Sequence, residues 1–85
     1  MSNQEAVTVQ HQVDRHRFVV VTQGAEAVLE YHLDGQSIDF QRTFVPPALR
    51  GQAIAEKLVR TGLAWAKTEN FNINTSCSYV VKFIR

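Results

Sequence analysis

The sequence contains only one cysteine, Cys77, so no disulfide can form within the 85-residue chain. A single thiol without a partner is typical of a reducing compartment, and we therefore expect a cytoplasmic protein. Uninterrupted apolar runs are also scarce, and none exceeds four residues. Because a membrane-crossing helix needs about 20 such residues, the sequence predicts no membrane span. The polar and acidic start at residues 1–5 differs from a signal peptide.

An excess of charge of one sign is lacking as well. Nine Lys and Arg against eight Asp and Glu leave a net charge of +1. The sequence has no basic block and no alternation of aromatic with basic residues, which disfavours a nucleic-acid-binding domain. Four glycines, two prolines and 45% hydrophobic residues are typical of a globular chain. The length predicts a single domain over residues 1–85, with residues 1–6 flexible.

The first half of the chain has the pattern of antiparallel strands. We predict strands at residues 7–11, 17–22 and 25–33, and a fourth strand after a hairpin turn at Asp34-Gly35. In the fourth strand, Ile38, Phe40 and Phe44 share their alternation with Arg42, although a charge is unexpected on a buried face. Either a bulge shifts the register near Arg42, or that end of the strand leaves the core.

The second half predicts a long helix, a strand and a short helix. Pro46-Pro47 ends the fourth strand, and apolar residues at helical spacing predict a helix from Leu49 or Arg50 to residue 69, with Asn70 as its C-terminal cap. Residues 71–75 alternate like a strand, which would lie parallel to the fourth. Residues 79–84 complete the chain as a helix capped by Ser76 or Ser78. The fold class is therefore α+β, with a mostly antiparallel sheet of about five strands.

The junction between the fourth strand and the long helix is the most informative segment. Gly51, Ala53 and Ala55 place small residues in the predicted first turn, where backbone N–H groups are unpaired and the helix dipole is positive. A diphosphate could approach that backbone closely. Alternatively, the small residues only pack against the sheet. No Gly-Lys-Ser/Thr follows and only one glycine is present, so neither a Walker-type loop nor a dinucleotide fingerprint fits.

The segment from Arg50 to Ala55, RGQAIA, resembles the Arg/Gln-x-x-Gly-x-Gly/Ala signature of the GNAT superfamily of N-acetyltransferases. The stretches TFVPPALRGQAIAEKLV, LAWAK and NTSCSYVVKFI resemble more specifically the short GNAT-like acetyltransferases, over about residues 13–85. The resemblance implies a minimal GNAT-like fold with one long central helix and a short C-terminal helix. It also implies acetyl-coenzyme A as co-substrate and an amine acceptor, either a small molecule or a protein.

Residue by residue, the resemblance implies a coenzyme A site. The pyrophosphate would rest on the turn that begins the long helix, and the pantetheine arm would insert between the strands ending at Phe44-Val45 and around Ile73-Asn74. A backbone N–H near Val45 would polarise the acetyl carbonyl. The implied cofactor-binding residues are Phe44, Val45, Arg50, Gly51, Gln52, Ala53, Ile54, Ala55 and Asn74.

Two positions depart from the family pattern. The second Gly of the signature is Ala53 here, which adds a methyl group where phosphate oxygens come near. The His that usually precedes the Thr of the fourth strand is Arg42 here. If that His contributes to proton transfer or positioning, this chain lacks the contribution.

Two residues near the C-terminus are candidate catalytic groups. Cys77 lies where a loop meets a helix N-terminus, which favours thiolate; it either lies at the acetyl-binding end, accepting acetyl or contacting the thioester, or is a small buried apolar residue. Tyr79 either donates a proton to the coenzyme A thiolate or is a core aromatic residue with a hydrated tip. The three histidines have no metal-ligand spacing, so no metal site is predicted.

Two functions from different classes remain open. The first is an acetyl-CoA-dependent N-acetyltransferase of unknown acceptor. The second is a non-catalytic module that holds coenzyme A or a protein partner, and Ala53 and Arg42 are the features that favour it. A gain in melting temperature with coenzyme A, followed by thiol release with an amine, separates the two.

Overall fold

The computed structural model describes residues 8–84, and the predicted flexible segment 1–6 and the first predicted strand residue, Val7, lie outside that range. Five strands and two α-helices form the fold, joined in part by short 3-10 turns at Val13–Arg15 and Pro47–Leu49. The elements are β1 (Gln10–Gln12), β2 (Arg17–Thr22), β3 (Ala25–Asp34), β4 (Ser37–Phe44), α1 (Ile54–Thr68), β5 (Asn72–Thr75) and α2 (Ser78–Ile84). The predicted class and strand number are confirmed.

The strands form one sheet in sequence order, from β1 to β5. The first four are antiparallel, and β5 pairs parallel to β4 after the crossover through α1, as predicted. Residues with positive φ make the two tight hairpins: Gln23 and Gly24 between β2 and β3, and Gly35 between β3 and β4. Neither α1 nor α2, the two helices found in residues 8–84, has the length and apolar character needed to span a membrane.

The unexpected charge at Arg42 is explained by a bulge in β4. Glu30 pairs with Arg42 while the next residue, Tyr31, pairs with Phe40, so Gln41 has no partner in β3. The extra residue shifts the alternation, and Arg42 lies exposed with its guanidinium 3.3 Å from the Glu30 carboxylate. Of the two readings of this strand, the bulge is confirmed.

One face of the sheet carries α1, and the core lies between them. Its fully buried side chains include Phe18, Leu29 and Phe40 from the strands and Leu58 and Val59 from α1. Gly62 permits the close approach, because a Cβ there would lie 2.9 Å from Leu29 Cδ2. The end of α1 is fixed by Asn70, whose left-handed backbone (φ +63) lets its N–H bond to Lys67 while Phe71 N–H bonds to Ala66. Asn70 is thus the predicted cap.

An aromatic cluster attaches the edge strand β1 to α1. The His11 ring stacks on Phe18 with centroids 4.0 Å apart and meets the edge of Trp65 at 4.5 Å. His11 Nε2 lies 2.6 Å from the Tyr31 hydroxyl. Burial raises the pKa of Tyr31, so its hydroxyl stays protonated and shares this hydrogen bond with the neutral imidazole, whose tautomer sets which group donates. Burial lowers the pKa of His11, so the cluster favours the uncharged ring.

We predict that this cluster makes stability depend on pH. Since the folded state lowers the pKa of His11, the stabilisation is complete above the ordinary histidine value of about 6.5 and declines as pH falls through the lowered pKa. Trp65, the only tryptophan, should report the protonation as a fluorescence change. His11→Asn should abolish the transition and lower the free energy of unfolding by about 2 kcal/mol, through loss of an aromatic contact and a hydrogen bond.

His16→Asn is the matched control for the histidine transition. Like His11, His16 contacts Tyr31, and its ring stacks on the Tyr31 ring. The backbone of His16 is left-handed, with φ +55, a conformation that Asn tolerates. The fluorescence transition should persist in this variant. A fluorescence transition that is lost in His16→Asn and kept in His11→Asn would contradict the assignment of the transition to His11.

Candidate functional site

The long helix begins later than predicted. Its first residue is Ile54 rather than Leu49 or Arg50, and residues 50–53 form a loop between a 3-10 turn and α1. Gly51 (φ +81) and Ala53 (φ +59) have left-handed backbones, which a continuous right-handed helix cannot contain. The small residues of the RGQAIA segment are therefore divided between a loop and a first helical turn.

A groove of about 220 Å³ lies over this junction, and we call it the α1 groove. It gathers six of the nine predicted cofactor-binding residues and the candidate proton donor Tyr79. The lining residues are Val45, Leu49, Arg50, Gly51, Ala53, Ile54, Ala55, Glu56 and Tyr79. Leu49 and Glu56 were not predicted to be site residues. The four-residue spacing in the sequence predicts only that Glu56 pairs with Arg60 on the surface of the helix, and nothing in the sequence shows that Glu56 would lie beside this loop.

The backbone of the α1 groove offers hydrogen-bond donors. The first intrahelical bond runs from Lys57 N–H to Ala53 C=O at 3.1 Å, so the N–H groups of residues 54–56 have no acceptor within the helix. No side chain in residues 8–84 caps this turn. A Cβ built at Gly51 would meet nothing within 4 Å, so open space lies beside the loop. Free amides, a positive helix end and this space fit a diphosphate group.

Two side chains hold the loop in shape. Arg50 Nε donates to the Val45 carbonyl at 3.0 Å, which connects the end of the strand segment to the loop. Gln52 Nε2 approaches the Ala48 carbonyl at 3.5 Å, and its Oε1 accepts from Gln23 at 3.4 Å. Arg50 is exposed and lines the α1 groove. Gln52 is also exposed, but it does not line the groove. Gln52 therefore contributes to the shape of the loop from outside the groove.

Strand pairing between β4 and the chain that follows β5 ends before β4 does, and we call the unpaired region between them the opening. Parallel pairing ends at Phe40 and Thr75, and the Phe40 carbonyl accepts from Ser76 N–H at 3.0 Å and Cys77 N–H at 3.2 Å. Beyond that point β4 continues to Phe44 while the chain turns into α2. The two segments are thus no longer paired as strands beyond the β4 bulge, although the side chains of Thr43 and Cys77 still meet across them.

The structure does not bring Phe44 and Asn74 to the α1 groove. Phe44 pairs with Val28, whose neighbour Leu29 points under α1, so the Phe44 ring lies on the opposite face, where Arg42 stacks on it at 5.3 Å. Asn74 lies opposite Asp39, within the paired part of β5. Strand pairing ends after Thr75, so residues 76–77 rather than Asn74 border the unpaired part of β4. The resemblance alone placed Phe44 at the site, and the bulge turns its side chain to the face opposite α1.

Cys77 lies half-buried beside the opening, with its Sγ 3.6 Å from Thr43 Oγ1. Burial raises the pKa of the Cys77 thiol, but hydrogen bonds from the Thr43 hydroxyl and from the backbones of Val80, Tyr79 and Thr43 together outweigh it and lower the pKa. Thr43 was not predicted as a site residue. Its position opposite Leu29, on the α1 side of the sheet, depends on the bulge.

Tyr79 lies at the start of α2 and lines the α1 groove. Burial raises the pKa of Tyr79, the negative charge of Glu56 raises it further, and the positive charge of Arg60 partly opposes both. The hydroxyl is therefore protonated at neutral pH and can donate a proton. No group of three or more His, Cys, Asp or Glu side chains that could hold a metal ion occurs in residues 8–84.

An α+β fold with one five-stranded sheet, and with a loop of small residues before its long helix, is typical of one class of protein, the GNAT-type N-acetyltransferases. The family model for GCN5-related N-acetyltransferases matches residues 17–85. The chain belongs to this family, and the resemblance inferred from its motifs is confirmed.

Individual relatives agree with this assignment. Protein NATD1 of Bos taurus is 35% identical over 82 residues, which cover 93% of this chain and 73% of the relative. Protein NATD1 of Xenopus tropicalis is 31% identical over 88 residues, covering 100% of this chain and 81% of the relative. The solution NMR structure of a GCN5-like protein from Staphylococcus aureus superposes with a TM-score of 0.71 at 25% identity, covering 99% of this chain and 80% of that one.

The left-handed backbone of Ala53 gives a stability prediction. A non-glycine residue in this region costs about 1–2 kcal/mol, and glycine relieves that cost against some extra chain entropy. Ala53→Gly should therefore raise the free energy of unfolding by about 0.5–1 kcal/mol in urea titrations. The exposed helical residue Ala64 is the control, because Ala64→Gly should lower it by about 1 kcal/mol. Equal destabilisation by both variants would contradict the assigned backbone at Ala53.

Proposed function

We propose that this protein is an acetyl-CoA-dependent N-acetyltransferase. The single observation that supports the proposal most directly is the α1 groove, where the family signature and the uncapped first turn of α1 lie together beside open space. Membership of the family supplies the reaction type, and the groove supplies a place for its anionic co-substrate.

In this proposal the pyrophosphate of coenzyme A accepts hydrogen bonds from the N–H groups of residues 54–56. Arg50 contributes a positive charge at the groove wall while its Nε bond to Val45 keeps the loop closed. The pantetheine arm lies in the opening between β4 and residues 76–77. Backbone groups near Val45 then polarise the acetyl carbonyl.

Acetyl-CoA supplies an activated acyl thioester. Tyr79 donates its hydroxyl proton to the departing thiolate, a role for which its raised pKa keeps it protonated. Cys77 lies just before α2 with its Sγ beside Thr43 of β4, and its lowered pKa increases the thiolate fraction. We assign Cys77 to the acetyl-binding end of the site, in contact with the thioester. The acceptor is an amine on a small molecule or a protein in the cytoplasm.

Two measurements made in order test the proposed function. Isothermal titration of coenzyme A and acetyl-CoA should give one saturable site, and both ligands should raise the melting temperature by mass action. Free thiol release is then followed with a panel of primary amines. The absence of heat and of a melting shift with both ligands would contradict the proposal.

A second function, coenzyme A binding without turnover, is favoured by one observation. Arg42 stands where the family pattern that the sequence resembles has a His, and its guanidinium is paired with Glu30 on the face opposite α1. It offers neither a base nor an orientation toward the opening. Saturable coenzyme A binding with no thiol release from any amine in the panel would support this second function.

A further inference from the structure

One carboxylate lies in the α1 groove, where the other groups favour an anion. Glu56 is the third residue of α1 and lines the groove together with Gly51 and Tyr79. Its side chain is 43% exposed, so its charge is partly screened by water but remains next to the free amides. A carboxylate at this place repels a diphosphate and weakens the site.

Arg60 offsets that charge. Its Nε lies 2.7 Å from the Glu56 carboxylate, one helical turn further along α1. The guanidinium also lies over the Phe83 ring of α2 at 5.6 Å, so two elements fix its place. Arg60 itself is not among the residues that line the groove. It therefore acts on the groove through Glu56.

We propose that the Glu56–Arg60 ion pair sets the affinity of the α1 groove for diphosphate-bearing ligands, with Arg60 as a positioning residue that neutralises and holds Glu56. This inference rests on the proposed function and adds a specificity determinant to it. Substitution of either residue should change the affinity for ligands that carry a diphosphate, and should leave the affinity for ligands without one unchanged.

The test is a set of binding titrations with coenzyme A, and with pantetheine as the ligand without phosphates. Glu56→Gln should tighten coenzyme A binding about threefold, and Arg60→Gln should weaken it about threefold, the scale of one exposed ion pair. In the Glu56→Gln background, Arg60→Gln should have little further effect. Raising the salt concentration to 0.5 M should reduce these differences in affinity, because the Debye length falls to about 4 Å. Pantetheine should bind all the variants alike.

Glu30→Gln is the matched control, since Glu30 also pairs with an arginine, Arg42, but on the opposite face of the sheet. It should leave coenzyme A binding unchanged. Tyr79 gives a readout without ligand: by NMR its pKa should fall in Glu56→Gln and rise in Arg60→Gln. Equal losses from Arg60→Gln in both backgrounds, or no change in any variant, would overturn the inference while leaving the proposed function intact. A wild-type protein that does not bind coenzyme A would overturn both.

Discussion

Gly51→Asp is expected to abolish most coenzyme A binding. The Cβ at Gly51 would enter open space beside the loop, and Asp tolerates the left-handed backbone at φ +81 better than most residues. The new carboxylate would lie beside the proposed pyrophosphate site. Two like-charge contacts of about 1 kcal/mol each correspond to a loss of roughly 30-fold in affinity. Isothermal titration measures the effect directly.

Gly51→Asn is the matched control for this variant. Asn has nearly the same shape and the same tolerance for a left-handed backbone, but it carries no charge. It should lose only a few-fold in affinity, from the added side chain and backbone strain. Similar binding by the Asp and Asn variants would mean that no phosphate lies near Gly51. Melting curves of the two should agree, which separates binding from folding.

Tyr79→Phe is expected to lower kcat about 100-fold, the ordinary scale of a lost general acid. The KM for acetyl-CoA should change little, because the proposed proton donation by Tyr79 takes place as the thiolate leaves rather than when the ligand binds. Burial and Glu56 raise the pKa of Tyr79, so the wild-type rate should not fall through loss of this proton until the pH exceeds about 10, the ordinary tyrosine value. Stopped-flow detection of thiol release supplies both constants.

Tyr31→Phe removes the same hydroxyl at a different place and serves as the control. The Tyr31 hydroxyl bonds to His11 in the aromatic cluster and does not line the α1 groove. This variant should keep kcat within a factor of about two while losing about 1 kcal/mol of stability with its hydrogen bond. An unchanged kcat in Tyr79→Phe would remove Tyr79 from the chemistry.

Much of the fold followed from local signals in the sequence. The strand at residues 17–22 is dense in β-branched residues, and the hairpin at Asp34-Gly35 contains a standard turn pair, so both were predicted at or near their observed bounds. The unexpected charge at Arg42 indicated either a bulge or a strand end outside the core, because a buried face does not accept an uncompensated guanidinium, and the structure has the bulge.

The candidate site was less predictable, since its geometry depends on backbone angles. Ala53 has high helix propensity, and only its left-handed conformation shows that α1 starts after it. The bulge then decided which side chains face α1: it turned Phe44 away and brought Thr43 beside Cys77. Glu56 was correctly paired with Arg60, but its place in the α1 groove depends on where α2 packs.

The most direct test of the central claim is an amide NMR titration of the ¹⁵N-labelled protein with coenzyme A. If a pyrophosphate rests on the start of α1, the largest shifts should fall on the N–H groups from Gly51 to Glu56, and pantetheine should leave them nearly unchanged. Saturable binding whose shifts fall elsewhere, for example on the face of the sheet that carries Phe44, would contradict the account.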